Sequence, residues 1–351
     1  MAVPDLDLSQ PCLALVAAGT LGSLLPLLPR LGLIPNLVST IIPVHNRPEH
    51  LSDAVASVLA QDYRPIEILI VDDGSSDGVT PALARSLADQ HPDLVRYLRR
   101  ANGGPGLARE TGRLVCRGEF LQYLDSDDVL LEGKFTAQVW ALRACPQASV
   151  AYGITLFRDA SGTLHPQPLK ATGEYITSMF PRFLNERWWE TATPLYRRSC
   201  CDQAGPWSDL CLEEDWEYDC RIAATGGHLV WCPIPVSEHR DHAGVRLSRN
   251  PAVTDPLRLS QRARAQALIH DHARRYGLPA NHPAMQRFSR SLFLLGRQCG
   301  SAGLHEQAAQ LCMLALAIMR DSGRSGRDLR LYRAVANRIG WRQAGWLAGM
   351  R

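Results

Sequence analysis

The sequence predicts an α/β fold, a mainly parallel sheet covered by helices and followed by an α-helical C-terminal region. Three observations carry that expectation. Apolar runs rich in branched and aromatic residues alternate with segments of ten or more residues at helical spacing. Two of those runs, ending at Val71 and Leu124, break abruptly into acidic turns. From Pro256 onward the strand pattern disappears and nearly every residue reads as helical.

In order, Leu37–Val44 (LVSTIIPV) is a strand that His45-Asn46-Arg47-Pro48 ends, and Pro48 suits the first turn of a helix from about Glu49 to Gln61. Ile66–Val71 is a second strand, closed by Asp72-Asp73-Gly74-Ser75-Ser76-Asp77 and followed by a helix over about Val79–Gln90. Leu94–Leu98 is a weaker third strand. Asn102-Gly103-Gly104-Pro105-Gly106 is then a glycine loop opening a helix through Cys116. That loop lacks the Lys of a Walker-type phosphate loop. Phe120–Leu124 is a fourth, buried strand delivering Asp125-Ser126-Asp127-Asp128 at its C-terminal end, the edge where open α/β sheets bind ligands.

Beyond Val150 the pattern loosens. Ser149–Phe157 reads as a strand, Asp159-Ala160-Ser161-Gly162 as a hairpin turn, and Tyr175–Trp189 as a helix or mixed segment. Within it, Tyr175, Phe180, Phe183, Trp188 and Trp189 suit sugar stacking or core equally. Leu212–Ala224 is a helix with an acidic first turn, Leu229–Pro235 a short strand, and Glu238–His242 a polar loop. Helices follow over 257–276, 284–301, 305–320 and 328–348, and Leu304–Ala309 has the look of one tetratricopeptide-like helix pair.

Hydrophobic residues make up 46% and charged residues 21%, which excludes a disordered chain and leaves ample core. The net charge of +3 hides an asymmetry. From Leu257 onward there are sixteen Arg, no Lys and four acids, roughly +12, leaving about −9 for the rest. The ten cysteines form no CxxC pair or zinc-spaced cluster and read as reduced, mostly buried thiols of a cytoplasmic protein. Residues 12–34 are apolar, but the acidic start (Asp5, Asp7) argues against a secretory signal. Pro26, Pro29 and Arg30 break the run before the ~20 residues needed to span a bilayer. A short helix packing on the body or touching a membrane surface is expected there.

Acids within and beside those turns, one cation and one imidazole are the chemical candidates. Three carboxylates in Asp125–Asp128 repel one another unless a cation joins them; a divalent metal with its phosphate fits, and so does a solvated acidic turn. Asp72 and Asp73 suit hydrogen bonds to a base or ribose, or an Asx turn. Arg109 suits a phosphate or nucleobase, or plain solvent. Glu213-Glu214-Asp215 holds either a general base or helix-capping acids, and His242 a metal or phosphate ligand or a surface residue.

Order and spacing weigh these readings together. Ser39-Thr40-Ile41-Ile42-Pro43-Val44-His45-Asn46-Arg47, Ile70 to Asp77, Asn102 to Arg109, Gly118 to Asp128, and Glu214-Asp215-Trp216 with Arg221 stand in a sequence that resembles the family 2 glycosyltransferases of the GT-A fold. The resemblance covers about 37–245. It implies a Rossmann-like sheet and inverting sugar transfer from a nucleotide-diphosphate sugar, with Mn2+ or Mg2+ as cofactor. It implies a nucleoside pocket lined by Pro43, Val44, Asn46 and Asp72 or Asp73, with Arg109 against the nucleotide. Asp125 would face ribose, Asp127 would ligate the metal with Asp125 as a secondary contact, and His242 would complete the metal or phosphate site. Asp215 would be the base, with Glu214 the alternative one position away.

The expected organisation is an apolar N-terminal extension (1–36), a GT-A domain (37–250) and a basic helical region (251–351). With no set of transmembrane helices after the catalytic words, single or few-step transfer to a glycan, lipid-linked or protein acceptor is expected, by a cytoplasmic enzyme that sits free or on the inner face of the membrane. No nucleic-acid partner is expected. Two other readings stand beside this one: a nucleotidyltransferase, which His45–Pro48 does not suit for want of a glycine-rich basic loop, and a catalytically silent sugar-nucleotide-binding scaffold working through its tail. The Arg-rich tail is either a solvated face over a helical core or a membrane contact, an option kept open by Trp341 and Trp346 beside Arg342 and Arg351.

Overall fold

A computed structural model describes residues 32–242 and 255–349, with side chains as far as residue 345. The chain forms two compact units. The first comprises residues up to Thr177, Trp188–Asp209 and His228–Ala243; the second comprises Ser178–Arg187, Leu210–Gly227 and Gly244–Arg351. The expected helix over most of 12–34, and the side chains of Trp346 and Arg351, lie outside the described residues.

The first unit holds the whole sheet. Its strands are β1 (Ile34–Val44), β2 (Ile66–Asp72), β3 (Val95–Arg99), β4 (Gly118–Tyr123), β5 (Val129–Leu130), β6 (Val150–Arg158), β7 (Leu164–His165), β8 (Leu195–Arg197) and β9 (Leu229–Arg240). They lie in the order β3-β2-β1-β4-β8-β6-β9-β5, with β7 on β6. The helices of this unit are α1 (Pro48–Leu59), α2 (Val79–Gln90), α3 (Pro105–Val115), α4 (Lys134–Ala144) and α5 (Arg198–Ala204).

Strands β3, β2, β1 and β4 are parallel neighbours, as the alternating pattern predicts. The eight residues Leu37–Val44 of β1 are all buried, Ser39 and Thr40 included, which explains why the strand shows no apolar–polar alternation. The other half is mixed: β8 runs antiparallel to both β4 and β6, while β6 and β9 are parallel. Helix α3 lies tight on the sheet because Gly112 has no side chain; a Cβ there would stand 2.5 Å from Ile41 Cγ2.

Several elements depart from the sequence reading. β1 begins earlier, at Ile34, past Asn36 at φ 67°, where the register with β4 shifts. α4 escapes periodicity because its buried face includes Lys134 and Gln138, which donate to Thr193 O at 2.9 and 3.0 Å. The expected loop over Glu238–His242 is instead the end of β9, which continues to Arg240. Glu238 tolerates this because Arg158 and Arg240 pair with it at 2.7 and 2.9 Å. Phe180, Phe183, Trp188 and Trp189 are core, whereas Tyr175 is 72% exposed.

The second unit is helical: a 3-10 turn (Arg182–Leu184), then α6 (Glu214–Ala224), α7 (Pro256–Tyr276), α8 (Pro283–Ser301), α9 (His305–Asp321), α10 (Arg327–Ile339) and α11 (Trp341–Gly349). The Tyr175–Trp189 segment therefore contains only that one helical turn. α6 starts two residues later than expected, because Glu213 adopts φ 59°. Gly340 at φ 93° splits the expected 328–348 helix in two. α8 and α9 pack as a pair, joined through a turn at Gly303. Among the described residues no helix is long and apolar enough to cross a membrane, and every described cysteine is free, most of them buried.

Candidate active site

The parallel register brings the C-terminal ends of β1, β2 and β4 to one edge: Val44 stands opposite Asp72, and Ile41 opposite Tyr123. Loops leaving that edge carry most of the expected residues. Pro43 and Val44 are buried at the end of β1. Asn46, at φ 49°, accepts from Ser76 N at 2.8 Å and so ties the first loop to the second. Asp72 closes β2 by accepting from Ser75 N, three residues on, at 2.7 Å, and its other oxygen accepts from Tyr97 OH at 2.9 Å. Asp73 accepts from Gly104 N at 2.7 Å and from Gly103 N and pairs with Arg100, which fixes the glycine loop at the start of α3. Both acids, 0% and 3% exposed, shape the loops around the edge.

The acidic turn after β4 is divided by its partners. Asp125 Oδ1 accepts from Arg109 Nη2 at 2.7 Å, and the Arg109 guanidinium stacks 4.8 Å from the Trp207 ring centre. Asp127 Oδ2 accepts from Arg47 Nη1 at 2.7 Å and lies 3.0 Å from His242 Nε2. Asp128 turns inward: His239 Nδ1 lies 3.0 Å from it and Arg240 N donates to it at 3.1 Å. Burial pushes the Asp128 carboxyl up, to about 6, against the opposing pull of His239.

Pairing of β5 with β9, Val129 opposite Glu238, is what sets the end of β9 beside this turn. His50 on α1 joins the cluster, its ring centre 4.9 Å from that of His242. Arg47, His50, His239 and Trp207 were not among the candidates read from sequence. Only the density of Arg and His in His45–His50 signals two of them.

A carboxylate and an imidazole are a donor set suited to Mn2+, and a carboxylate alone to Mg2+. Asp127 and His242 therefore fit as side chains that would hold such a metal. Among the described residues no three His, Cys, Asp or Glu side chains form a ready-made cage. Asp125 is engaged by Arg109.

In the second unit, Asp215 lies in the first turn of α6. Its Oδ2 accepts from Arg187 Nη1 and its Oδ1 from Trp216 N, at 2.8 and 2.7 Å. Arg187 Nε also holds Asp219 at 2.8 Å, so one guanidinium bridges two acids a helical turn apart. Glu213 is engaged by Arg262 and Gln266, and Glu214 is 7% exposed. The Asp215 side chain is the more open, at 27%.

Comparison with known proteins shows what this chain resembles. Residues 39–201 match the family described as Glycosyl transferase family 2. That stretch, a little under half of the chain, is similar to a family 2 glycosyltransferase domain. An uncharacterized glycosyltransferase of Rickettsia prowazekii is 40% identical over 150 residues, 41% of this chain and 46% of that protein. One of Rickettsia bellii is 33% identical over 151 residues, 41% of this chain and 21% of that protein. The chain thus spans less than half the length of these curated relatives.

Two solved structures share this fold. S. aureus TarS 1–349, in complex with UDP-GlcNAc, superposes with a TM-score of 0.53 at 14% identity, over 86% of this chain and 92% of that one. A mannosyltransferase from Pyrobaculum calidifontis, in complex with GDP-Man and Mn2+, gives a TM-score of 0.53 at 18% identity, over 89% and 86%. The fold is the GT-A type, a mostly parallel, mixed sheet with helices and a helical C-terminal region.

Proposed function

We propose that the chain is an inverting, metal-dependent glycosyltransferase that moves a sugar from a nucleotide-diphosphate donor to an acceptor hydroxyl, with Asp215 as general base. The observation that carries this reading is Asp127 held between Arg47 and His242 at the ligand edge of a family 2 domain. The sugar nucleotides in the two solved neighbours support the donor class, and Mn2+ in one of them supports the metal.

Each residue then has a task. Arg109, buried and stacked on Trp207, fixes Asp125 so that its outer oxygen accepts a ribose hydroxyl. Asp127 and His242 would hold Mn2+ or Mg2+, which when bound neutralises charge on the departing diphosphate. Arg47 adds a fixed cation beside that carboxylate. Pro43, Val44 and Asn46 frame the nucleoside, with Asp72 and Asp73 setting the loops.

Asp215 takes the proton of the acceptor hydroxyl as the acceptor oxygen bonds the anomeric carbon and the bond to diphosphate oxygen breaks. One displacement inverts the anomeric configuration. Arg187 and Trp216 N occupy two of the roughly four acceptor positions of the carboxylate, so it is oriented and still able to accept. Glu214, largely buried, is left as a neighbour of the base. The acceptor class is a glycan, lipid-linked or protein hydroxyl.

Incubation with UDP- and GDP-sugars, with Mn2+, Mg2+ or EDTA, tests the proposal by nucleotide release and by NMR of the product's anomeric centre. Metal-dependent release with inversion is expected. Retention of configuration, or undiminished transfer in EDTA, would overturn it, and tight nucleotide binding without turnover would favour a silent scaffold.

A further inference from the structure

Helix α10 buries only part of its apolar surface. Leu329 and Ala336 face inward, and Tyr332 packs edge-on against Phe293, 5.2 Å between ring centres. A second stripe at i, i+4 and i+8 stays in solvent: Leu331 is 68% exposed, Val335 36% and Ile339 41%. At about 100° per residue this stripe adjoins the buried one, so the apolar arc is wider than its covered part. Arg327, Arg330, Arg333 and Arg338 are exposed on the remaining face. Residues 320–342 hold seven Arg and two acids, Asp321 and Asp328.

We infer that this face of α10 docks on an anionic lipid surface, its apolar stripe entering the headgroup boundary and its arginines meeting phosphates. Long Arg stems let the guanidinium rise to the interface while the helix lies in it. The two halves of the pattern decide the occupant. A nucleic acid would engage the arginines and leave Leu331, Val335 and Ile339 wet. A second copy related by a two-fold axis would set four arginines against four. A bilayer rich in anionic headgroups satisfies both halves. The inference does not depend on the transfer chemistry.

Flotation of the full chain with phosphatidylcholine vesicles, with and without 30 mol% phosphatidylglycerol, tests it. The chain is expected to float with the anionic vesicles only. L331Q/V335Q/I339Q should lower partitioning about tenfold or more at unchanged net charge. Each Arg→Gln change should lower it about fivefold, less at high salt. Melting curves establish that the variants fold; should the triple variant fail, L331Q alone replaces it. A chain that stays at the bottom of the gradient, or an apolar-stripe variant that floats like the wild type, overturns the inference. So does stripe-dependent dimerisation in place of vesicle binding, or preference for a DNA duplex over the anionic vesicles.

Discussion

His242 Nε2 lies 3.0 Å from Asp127 Oδ2, although 115 residues separate the two in sequence. The β5–β9 pairing makes this meeting, and under the proposed function these two side chains would hold the cation. Removing either partner should weaken Mn2+ binding in the presence of a nucleoside diphosphate. The expected loss for Asp127→Asn or His242→Ala is at least the ~10–100-fold that losing an outer-shell partner costs. Mn2+ titration followed by electron paramagnetic resonance measures it, and unchanged affinity in both variants would remove these residues from the site.

Arg109 acts as a planar fork between Asp125 and the Trp207 ring, a geometry that an ammonium does not reproduce. Arg109→Lys is expected to weaken UDP or GDP binding and to cost about 1–3 kcal/mol of stability. Calorimetry with nucleotide and thermal unfolding read the two effects separately.

Gly112 permits the close contact of α3 with the sheet, its missing Cβ being 2.5 Å from Ile41 Cγ2 and 3.3 Å from Val71 Cγ2. Gly112→Ala should cost about 1–3 kcal/mol through overpacking. Because Ile41 and Val71 lie near the ends of β1 and β2, nucleotide affinity should fall with stability. A denaturant melt and a binding isotherm on the same variant check both.

Glu217, 2% exposed, gives the second unit a pH dependence. Burial pushes its carboxyl up, but hydrogen bonds from His272 and Arg221, each at 2.7 Å, outweigh this and hold it below the ordinary glutamate value. A depressed carboxyl contributes stability that is present above the unfolded-state value and is lost as pH falls through the folded one. Glu217→Gln should therefore be less stable than wild type by about 1.5–3 kcal/mol near neutrality. The gap should close as pH drops below about 4.5. Denaturation series from pH 7 to 3 test this, and a pH-independent gap would contradict it.

The parallel half of the sheet was legible because β1, β2 and β4 are buried on both faces and read as mostly apolar runs rich in branched residues. What escaped did so for stated reasons. Lys134 and Gln138 disguise α4, the Arg158–Glu238–Arg240 pairing lets charged residues finish β9, and β5 and β8 are too short to carry a period. At the site, Asp125, Asp127, Arg109 and His242 were visible as residue types at known spacing. Their pairing was not, since it depends on β5 meeting β9 and on α3 lying against Trp207. Asp128 stands in the sequence only as one of three clustered carboxylates. Its contacts are with His239 and Arg240 N, which the short strand expected over Leu229–Pro235 does not reach.

The general-base role of Asp215 is the central claim. Asp215→Asn keeps the shape of the side chain and its contact with Trp216 N but cannot take the acceptor's proton. Transfer by this variant, measured with a working donor and acceptor beside nucleotide affinity, should fall about 10²–10⁴-fold while nucleotide affinity stays within a factor of about two. Transfer at the wild-type rate would contradict the assignment.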